Sequence, residues 1–255
     1  MICRSTLYGE GVFETFRCFH GLPVFLRKHF ERMKMGAKLL RIPTPGWREF
    51  KQTVKEKIDV SADLRVKVCL FSFGSQVFDE KPKESELVCF ISRYERPRKP
   101  LRLHLVSFPR NSKSPVVRIK SLNYLENVLG RREAKEMGFD EGLFLNERGE
   151  VAECCASNIF WMKDKVIYTP DESCGLLPGI TRELVLSLAP KLGFKVKEGR
   201  YGLKNLLESD CVFLTNSLIG AHRVEEIEGF KIRGKNNKNF AELQLEIFRT
   251  LKWLP

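Results

Sequence analysis

Apolar residues in this chain repeat with two different periods, and segments of the two kinds follow one another in no fixed order. Alternating or continuously apolar runs predict strands, at 11–19, 23–26, 64–73, 85–94, 101–108, 116–120, 142–145, 158–163, 165–169 and 211–216. Apolar residues three and four positions apart predict helices, at 30–40, 50–58, 123–137, 181–192 and 240–252. Because strands and helices do not alternate strictly, we expect an α+β fold rather than a repeated βαβ fold.

A short charged segment with two prolines, ERPRKP at 95–100, has no apolar period and is the strongest linker candidate. Segments of this kind commonly join domains, because few contacts cross them. We therefore expect two domains, a small N-terminal one at 1–95 and a larger one at 101–255. A chain of 255 residues is long enough for each domain to bury its own core.

The composition is typical of a soluble globular protein, since 43% of the residues are hydrophobic and 30% are charged. No apolar run approaches the ~18 residues of a membrane span, and the first residues, MICRSTLYGEG, lack the apolar core of a signal peptide. Eight cysteines without a CxxC pair fit reduced thiols. We therefore expect a cytoplasmic protein without a membrane partner.

The formal charge of +12 is compatible with nucleic acid, an anionic membrane or an anionic small molecule as partner. The 44 basic residues are interleaved with 32 acidic ones, as in KEKIDVSADLRVK. Interleaved charges indicate a solvated surface rich in ion pairs, so we expect no nucleic-acid partner and keep a small anionic substrate. A basic RNA-binding protein is the alternative from a different functional class.

Several familiar catalytic motifs are absent from the sequence. It contains neither a GxxxxGK[ST] phosphate loop nor a GxSxG nucleophile motif. Its four histidines, at 20, 29, 104 and 222, have no metal-ligand spacing. These absences argue against a hydrolase and against a metal enzyme, and we expect no metal site.

Three features that follow one another along the sequence are compatible with a phosphorylated aromatic cofactor. Lys120 follows the apolar run VVRI; a partly buried lysine can form an imine, although a strand-end lysine is more often a surface residue. Glu153 in VAECCASNIF either pairs with a pyridinium nitrogen or is an ordinary strand-end carboxylate. LPGITRELV at 177–185 leads into a helix whose first N–H groups either face an anion or form a plain helix start.

Five motifs occur in a characteristic order: KSLNYLEN, EGLFLNERGEVAECCASNIF, YTP, GLLPGITRE and CVFLTNSLIG. Together they resemble the large domain of class-IV aminotransferases, the branched-chain aminotransferase-like enzymes of fold type IV. YGEGVFETFR and HFERM resemble the small domain of the same family. The resemblance runs from Tyr8 to about Gly229 and implies a two-domain pyridoxal-phosphate enzyme. The resemblance also implies a small α/β N-terminal domain and a larger C-terminal domain with a mixed sheet or pseudo-barrel. Members of the family are homodimers with the active site between the two domains, so we expect a homodimer.

The resemblance also assigns contacts to pyridoxal 5′-phosphate, residue by residue. Lys120 matches the Schiff-base lysine, and Glu153 matches the partner of the pyridine nitrogen. Arg32, in HFERM, matches an arginine that contacts the cofactor phosphate. Further matches are the phosphate-facing Ile180, Thr181 and Ser217, and one of Asn123 or Tyr124 at the ring hydroxyl.

The reaction depends on residues near the cofactor, since the family contains branched-chain aminotransferases, D-amino-acid aminotransferases and 4-amino-4-deoxychorismate lyases. Thr15 in VFETFR matches a threonine of the lyases, where branched-chain aminotransferases tend to carry glycine. Lys67 stands where aminotransferases usually present an arginine to the substrate carboxylate, whereas some lyases use a lysine. The segment FLTNS is also more similar to the corresponding lyase sequences than to the SGT-like segment of the aminotransferases. We therefore expect a lyase that makes 4-aminobenzoate for folate biosynthesis, with an aminotransferase as the alternative.

The same resemblance places Tyr8, Thr15 and Lys67 beside the cofactor. We expect Tyr8, Lys67 and Arg17 to bind the substrate, because the two basic residues suit a dicarboxylate. Lys120 would act as the general base at the carbon that bears the substrate nitrogen. Thr15 would protonate or orient the departing enolpyruvyl group. A strand threonine with no catalytic role, present for its β-propensity, is the plain alternative.

Overall fold

The structure is a computed structural model that describes residues 1–234 and 237–254, so the predicted domain end at 255 lies outside the described residues. Internal contacts divide the chain into two compact units. The first comprises Met1–Arg96 together with Ile119–Tyr124, and the second comprises Pro97–Arg118 together with the chain from Leu125 onward. The short segment around Lys120 therefore packs within the first unit, although the sequence returns to the second unit directly after it.

The first unit is an antiparallel sheet with two longer helices. Its elements are, in order, β1 (Ile2–Cys3), α1 (Arg4–Tyr8), β2 (Gly11–Phe19), β3 (Leu22–Pro23), α2 (Leu26–Leu39), α3 (Trp47–Lys55), β4 (Asp63–Gly74) and β5 (Glu84–Arg93). The strand order is β5–β4–β2–β3, and β1 pairs with the end of β4. Strand β4 is central, because β2 and β5 pair along most of its length.

Side chains alternate across β2 and separate two faces of this sheet. Val12, Phe16 and Cys18 are buried in a core with apolar residues of α2 and α3. Each large apolar side chain buried in this way contributes about 2 kcal/mol to folding. Phe13 and Thr15 alternate with that set and therefore lie on the opposite face. The alternation thus keeps Thr15 out of the helix-packed core.

The second unit is built on one nine-stranded mixed sheet. Its elements are, in order, β6 (Leu101–Leu105), α4 (Leu125–Glu136), β7 (Glu141–Leu145), β8 (Val151–Cys154), β9 (Asn158–Lys163), β10 (Val166–Pro170), α5 (Ile180–Leu188), β11 (Lys195–Gly199), α6 (Leu203–Leu207), β12 (Cys211–Asn216), β13 (Gly220–Ile227), β14 (Phe230–Lys231) and α7 (Lys238–Thr250). The order is β11–β10–β9–β12–β13–β6–β7–β8, with β14 on β13. Strand β8 also approaches β9 and β10, so the sheet curls toward a half-barrel.

Most of the predicted helices and strands are confirmed. The helix predicted over 123–137 is α4, and Gly138 ends it with a φ of +79°. The helix predicted over 181–192 is α5 followed by a 3₁₀ turn at Ala189–Leu192. Strands β8, β11 and β13 and helix α6 were not predicted from the apolar pattern. Charged residues interrupt that pattern in β11 and β13, which explains why their sequences gave no strand signal.

The strand predicted over 116–120 is wrong, and the correction changes the setting of Lys120. Pro115–Arg118 forms a 3₁₀ helix, and Lys120 lies in the turn that follows it. Proline fits the first position of a helical turn because its φ is already helical and it needs no N–H partner there. An apolar run of β-branched residues alone did not distinguish this turn from a strand.

Two further boundaries differ from the prediction in the first unit. The strand predicted over 23–26 is confined to Leu22–Pro23, because Phe25 takes a left-handed conformation with a φ of +58° and α2 follows it. Ile58 lies beyond α3, which ends at Lys55. No helix in the described part of the chain is long and apolar enough to cross a membrane.

Candidate active site

Lys120 is fixed by backbone hydrogen bonds to the start of β2. The N–H of Phe13 donates to the Lys120 carbonyl at 2.8 Å, and the N–H of Leu122 donates to the Gly11 carbonyl at 2.8 Å. A Cβ on Gly11 would lie 2.7 Å from Ser5 Oγ and 3.0 Å from the Leu70 carbonyl oxygen, as well as 2.4 Å from Leu122 Cδ1, so this close approach favours glycine. These bonds hold the Lys120 backbone to the first unit without a continuous strand.

The Lys120 amine lies among aromatic and basic side chains of the first unit. Its Nζ is 4.4 Å from the centre of the Phe13 ring and 5.3 Å from that of Tyr124. The Nζ of Lys67 is 4.5 Å from the same Phe13 ring. Tyr124 meets Phe13 edge-on at 5.1 Å. The structure thus brings Lys120, Lys67 and Tyr124 together, all predicted site residues.

The two candidates for the ring-hydroxyl contact lie in different settings. The ring of Tyr124 is part of the aromatic group around Lys120. Asn123 instead packs beneath Gly9, where an added Cβ would lie 3.1 Å from the Asn123 Cβ. Gly9 has a φ of +68°, which also favours glycine. This geometry favours Tyr124 over Asn123 as the side chain beside Lys120.

Arg32 binds a buried carboxylate in the first unit. Its Nε donates to Glu14 Oε1 at 2.8 Å and its Nη2 donates to Glu14 Oε2 at 2.6 Å. His29 Nδ1 lies 2.6 Å from Glu14 Oε2. Glu14 is fully buried on the core side of β2, and Arg32 and His29 reach it from α2. The sequence indicated Arg32 but not Glu14 or His29, whose pairing is a contact between distant segments.

Burial and the charges within this cluster shift the pKa values of Glu14 and His29. Burial alone would raise the pKa of Glu14, but the charge and hydrogen bonds of Arg32, with those of His29, lower it to about 2. Burial lowers the pKa of His29, against the opposing effect of Glu14, and the charges of Arg32 and Lys120 lower it further. Glu14 is therefore ionised and His29 neutral near neutral pH.

We expect acid to destabilise the protein through Glu14. Its pKa is about 2 in the folded state against an ordinary 4.5, so the stabilisation is complete above 4.5 and is lost as the pH falls toward 2. The shift corresponds to about 3 kcal/mol. Urea unfolding from neutral to acidic pH should show this loss in the parent and in Glu31→Gln, an exposed matched control. Glu14→Gln should be less stable throughout, but with a shallower acid dependence; an equally steep one would contradict this account.

Glu153 lies near the end of β8 in the second unit and is buried, with 7% of its surface exposed. The N–H of Leu177 donates to its Oε2 at 3.0 Å, and Arg110 Nη2 lies 3.4 Å from its Oε1. A buried carboxylate held in this way can accept a hydrogen bond from a protonated ring nitrogen. Arg110 carried no motif and was not predicted from the sequence.

The start of α5 is suited to a phosphate. Ile180 and Thr181 are buried, and the N-cap Gly179 offers no side-chain acceptor to the first N–H groups. An added Cβ at Gly179 would lie 2.1 Å from Asn158 Oδ1, so the loop needs glycine here. No described residue accepts a hydrogen bond from the N–H of Ile180 or Thr181. Because buried donors without acceptors are costly, these residues fit an anion at the helix start.

Ser217 lies in the turn after β12, and a neighbouring asparagine holds that turn in shape. Asn216 Oδ1 accepts from the N–H groups of Leu218 and Ile219, at 2.8 and 2.9 Å. Asn216 Nδ2 donates to the carbonyl of Ala156 at 3.0 Å. The sequence motif singled out Ser217 but not this side chain, which fixes where the turn presents the Ser217 hydroxyl.

Two residues predicted to face the substrate have other partners. Arg17 donates through Nε and Nη2 to both carboxylate oxygens of Asp63, at 2.7 and 2.6 Å. The Tyr8 hydroxyl donates to the Gln76 carbonyl, and the Arg4 guanidinium lies 4.9 Å from its ring. The substrate roles of Arg17 and Tyr8 stay predictions. Lys67 is the predicted substrate residue that the structure places beside Lys120, through their common neighbour Phe13.

The profile of the amino-transferase class IV family matches residues 11–227. The chain belongs to this family. An aminodeoxychorismate lyase of Bacillus subtilis (strain 168) is 33% identical to it over 96% of this chain and 87% of the relative. A candidate branched-chain-amino-acid aminotransferase of Methanocaldococcus jannaschii is 31% identical over 98% of this chain and 88% of the relative.

A solved structure of a candidate 4-amino-4-deoxychorismate lyase from Legionella pneumophila superposes with a TM-score of 0.91. It is 29% identical, and the match covers 96% of this chain and 93% of the other. The α+β fold of a type-IV pyridoxal-phosphate enzyme is therefore confirmed. The family depends on pyridoxal phosphate and contains both lyases and aminotransferases, so the chain is an enzyme of one of these two kinds.

Proposed function

We propose that the chain is a pyridoxal-phosphate-dependent 4-amino-4-deoxychorismate lyase, which forms 4-aminobenzoate and pyruvate. The observation that carries the proposal is the pairing of β2 with β4, in which Thr15 lies directly opposite Lys67. Opposite side chains of an antiparallel pair have Cβ atoms about 5 Å apart. A hydroxyl donor and a cation are thus adjacent on the face that also carries Phe13. The Bacillus subtilis relative supports the same reaction.

The residues present fit the cofactor. Lys120 would hold it covalently, Glu153 would pair with its ring nitrogen, and Tyr124 would lie at its ring hydroxyl. Arg32 and Ser217, with the start of α5, would hold the phosphate through charge-assisted hydrogen bonds and the helix-end field. The bound group supplies a protonated ring that withdraws the electron pair left after a proton is removed. The proposal includes a homodimer, as the family resemblance implies.

Lys120 and Thr15 have separate tasks in this reaction. The Lys120 amine, once the substrate nitrogen has taken its place, removes the proton from the ring carbon that bears that nitrogen. The C–O bond to the enolpyruvyl group then breaks, and the six-membered ring becomes aromatic. The enolpyruvyl group gains a proton at its CH₂ carbon and leaves as pyruvate. Thr15 orients this group or delivers the proton, and the atoms balance without water or an oxidant.

Lys67 is the cation best placed for a substrate carboxylate. Its Nζ lies 4.5 Å from the Phe13 ring that Lys120 also approaches. The substrate carries two carboxylates, so a positively charged face favours it over a monocarboxylate amino acid.

We expect Thr15→Val to lower 4-aminobenzoate formation by at least ~10-fold, because general acid catalysis typically contributes ~100-fold or more and water can substitute in part. Valine keeps the β-branched shape and removes only the hydroxyl. The variant should stay folded and yellow with bound cofactor. Any transamination should change little, because that proton transfer belongs to Lys120. Activity is measured by the appearance of 4-aminobenzoate.

Thr53→Val is the matched control for this substitution. Thr53 lies on α3, and its hydroxyl donates to the Glu49 carbonyl of the same helix at 3.0 Å. This variant should retain the parent rate within about twofold. If Thr15→Val also formed 4-aminobenzoate at the parent rate, Thr15 would be an ordinary strand residue and the lyase proposal would lose its mechanistic basis.

An aminotransferase is the second candidate function, and the Methanocaldococcus jannaschii relative favours it. In that reaction Lys120 would move a proton between the substrate carbon and the cofactor, and the nitrogen would pass to a 2-oxo acid. Thr15 would have no required part in that chemistry. Sensitivity to Thr15→Val in one reaction and not in the other therefore separates the two candidates.

A further inference from the structure

Arg110 is a buried arginine in the second unit that the proposed mechanism does not use. Only 3% of its surface is exposed. Its backbone N–H donates to the Leu145 carbonyl at 2.8 Å, and its guanidinium lies 4.1 Å from the centre of the Phe144 ring. Burying a guanidinium is costly unless it is paired. The contacts of the Arg110 guanidinium therefore indicate the role of this residue.

The guanidinium of Arg110 lies between two carboxylates. Its Nη1 donates to Glu126 Oε2 at 3.0 Å and to Asn127 Oδ1 at 3.3 Å, both on α4. Its Nη2 lies 3.4 Å from Glu153 Oε1, an ion-pair distance without hydrogen-bond alignment. Asn127 is itself fixed, because its Nδ2 donates to the Cys155 carbonyl at 2.7 Å. The arginine is thus held in place from α4 and acts on Glu153 through charge.

The two carboxylates differ in their exposure. The side chain of Glu126 is 55% exposed, so water screens it, whereas that of Glu153 is 9% exposed. The three side chains together carry one formal positive and two formal negative charges. They therefore favour a further positive charge beside the buried carboxylate.

We propose that Arg110 is a positioning residue that orients the Glu153 carboxylate through their ion pair, and so sets how strongly this unit prefers a protonated heteroaromatic nitrogen. The inference rests on the proposed role of Glu153 toward the cofactor ring. Arg110 itself touches no reacting atom. If it acts only through Glu153, removing it has no effect once Glu153 has lost its charge.

The test measures binding to the apoprotein of two ligands, pyridoxal 5′-phosphate and its deaza analogue, in which CH replaces the ring nitrogen. The ratio of the two dissociation constants, the nitrogen preference, cancels general damage to the site, because both ligands share every other group. The parent is compared with Arg110→Met, Arg110→Lys, Glu153→Gln and the double variant Arg110→Met/Glu153→Gln. Glu136→Gln is the matched control, because Glu136 is an exposed carboxylate at the other end of α4.

We expect Arg110→Met to lower the nitrogen preference by at least ~10-fold, about 1.4 kcal/mol, the size expected when one charge-assisted hydrogen bond is weakened. Arg110→Lys should recover most of the preference, and Glu136→Gln should keep it. The double variant should match Glu153→Gln alone, since the two residues act as one unit. A parent-like preference in Arg110→Met, or a further loss in the double variant, would overturn the inference. A parent-like preference in Glu153→Gln would instead refute the proposed role of Glu153.

Discussion

Lys120→Ala should lower product formation by ~100- to 10,000-fold, the range that a positioned general base contributes. The protein should remain folded, because the Lys120 backbone bonds to β2 do not involve its side chain. In the proposed mechanism, alanine removes both the amine that would hold the cofactor and the base that would move the substrate proton. Lys113→Ala is the matched control, since Lys113 is an exposed lysine of the preceding loop. It should retain the parent rate.

Borohydride labelling shows where the covalent link is formed. The reagent reduces a C=N bond between a lysine and the cofactor to a stable amine, which peptide mapping then finds. The label should lie on the peptide that contains Lys120 and be absent from Lys120→Ala. A label on another lysine, or a Lys120→Ala variant that turns over normally, would contradict the assignment.

Arg32→Ala should destabilise the apoprotein by about 3–5 kcal/mol, because it leaves the Glu14 carboxylate buried without its cation. Both oxygens of Glu14 bond to Arg32, and the Glu14 side chain is 0% exposed. The shift is measured as the free energy of unfolding in urea. Arg27→Ala, on the same helix, is the control, because its ion pair with Glu31 is exposed. That variant should lose no more than about 1 kcal/mol.

A second readout separates the phosphate role of Arg32 from its structural role. Arg32→Ala should weaken binding of pyridoxal 5′-phosphate, whereas Glu14→Gln should lower stability with a much smaller effect on that affinity. Arg32→Lys keeps a positive charge for Glu14 and should fold better than Arg32→Ala. If a folded Arg32 variant bound the cofactor as tightly as the parent, the proposed contact of Arg32 with the phosphate would be wrong.

Local patterns were sufficient to predict much of the fold. The helices α2, α4 and α5 follow from apolar residues on one face, and glycines such as Gly138 mark where they end. Strands β2 and β4 follow from runs of β-branched and aromatic residues. The conformation around Lys120 did not follow, because hydrogen bonds to β2, distant in sequence, decide it.

The residues of the candidate site also fall into two groups, those that sequence motifs indicate and those that only the fold reveals. Lys120, Glu153 and the start of α5 could be proposed as site residues from the sequence because they lie in ordered motifs. Glu14 and Arg110 were not, since their importance comes from a charged partner elsewhere in the chain. A buried ion pair has no periodicity or fixed spacing that would reveal it. The pairing of Arg17 with Asp63 is a further contact between distant segments that the sequence did not indicate.

One paired assay tests the lyase proposal most directly. A single preparation of the yellow holoenzyme is given 4-amino-4-deoxychorismate in one arm, and branched-chain or D-amino acids with a 2-oxo acid in the other. We predict stoichiometric 4-aminobenzoate and pyruvate in the first arm, at a catalytic efficiency at least ~10-fold above that of any transamination. Efficient transamination without formation of 4-aminobenzoate would contradict the proposal and identify the chain as an aminotransferase.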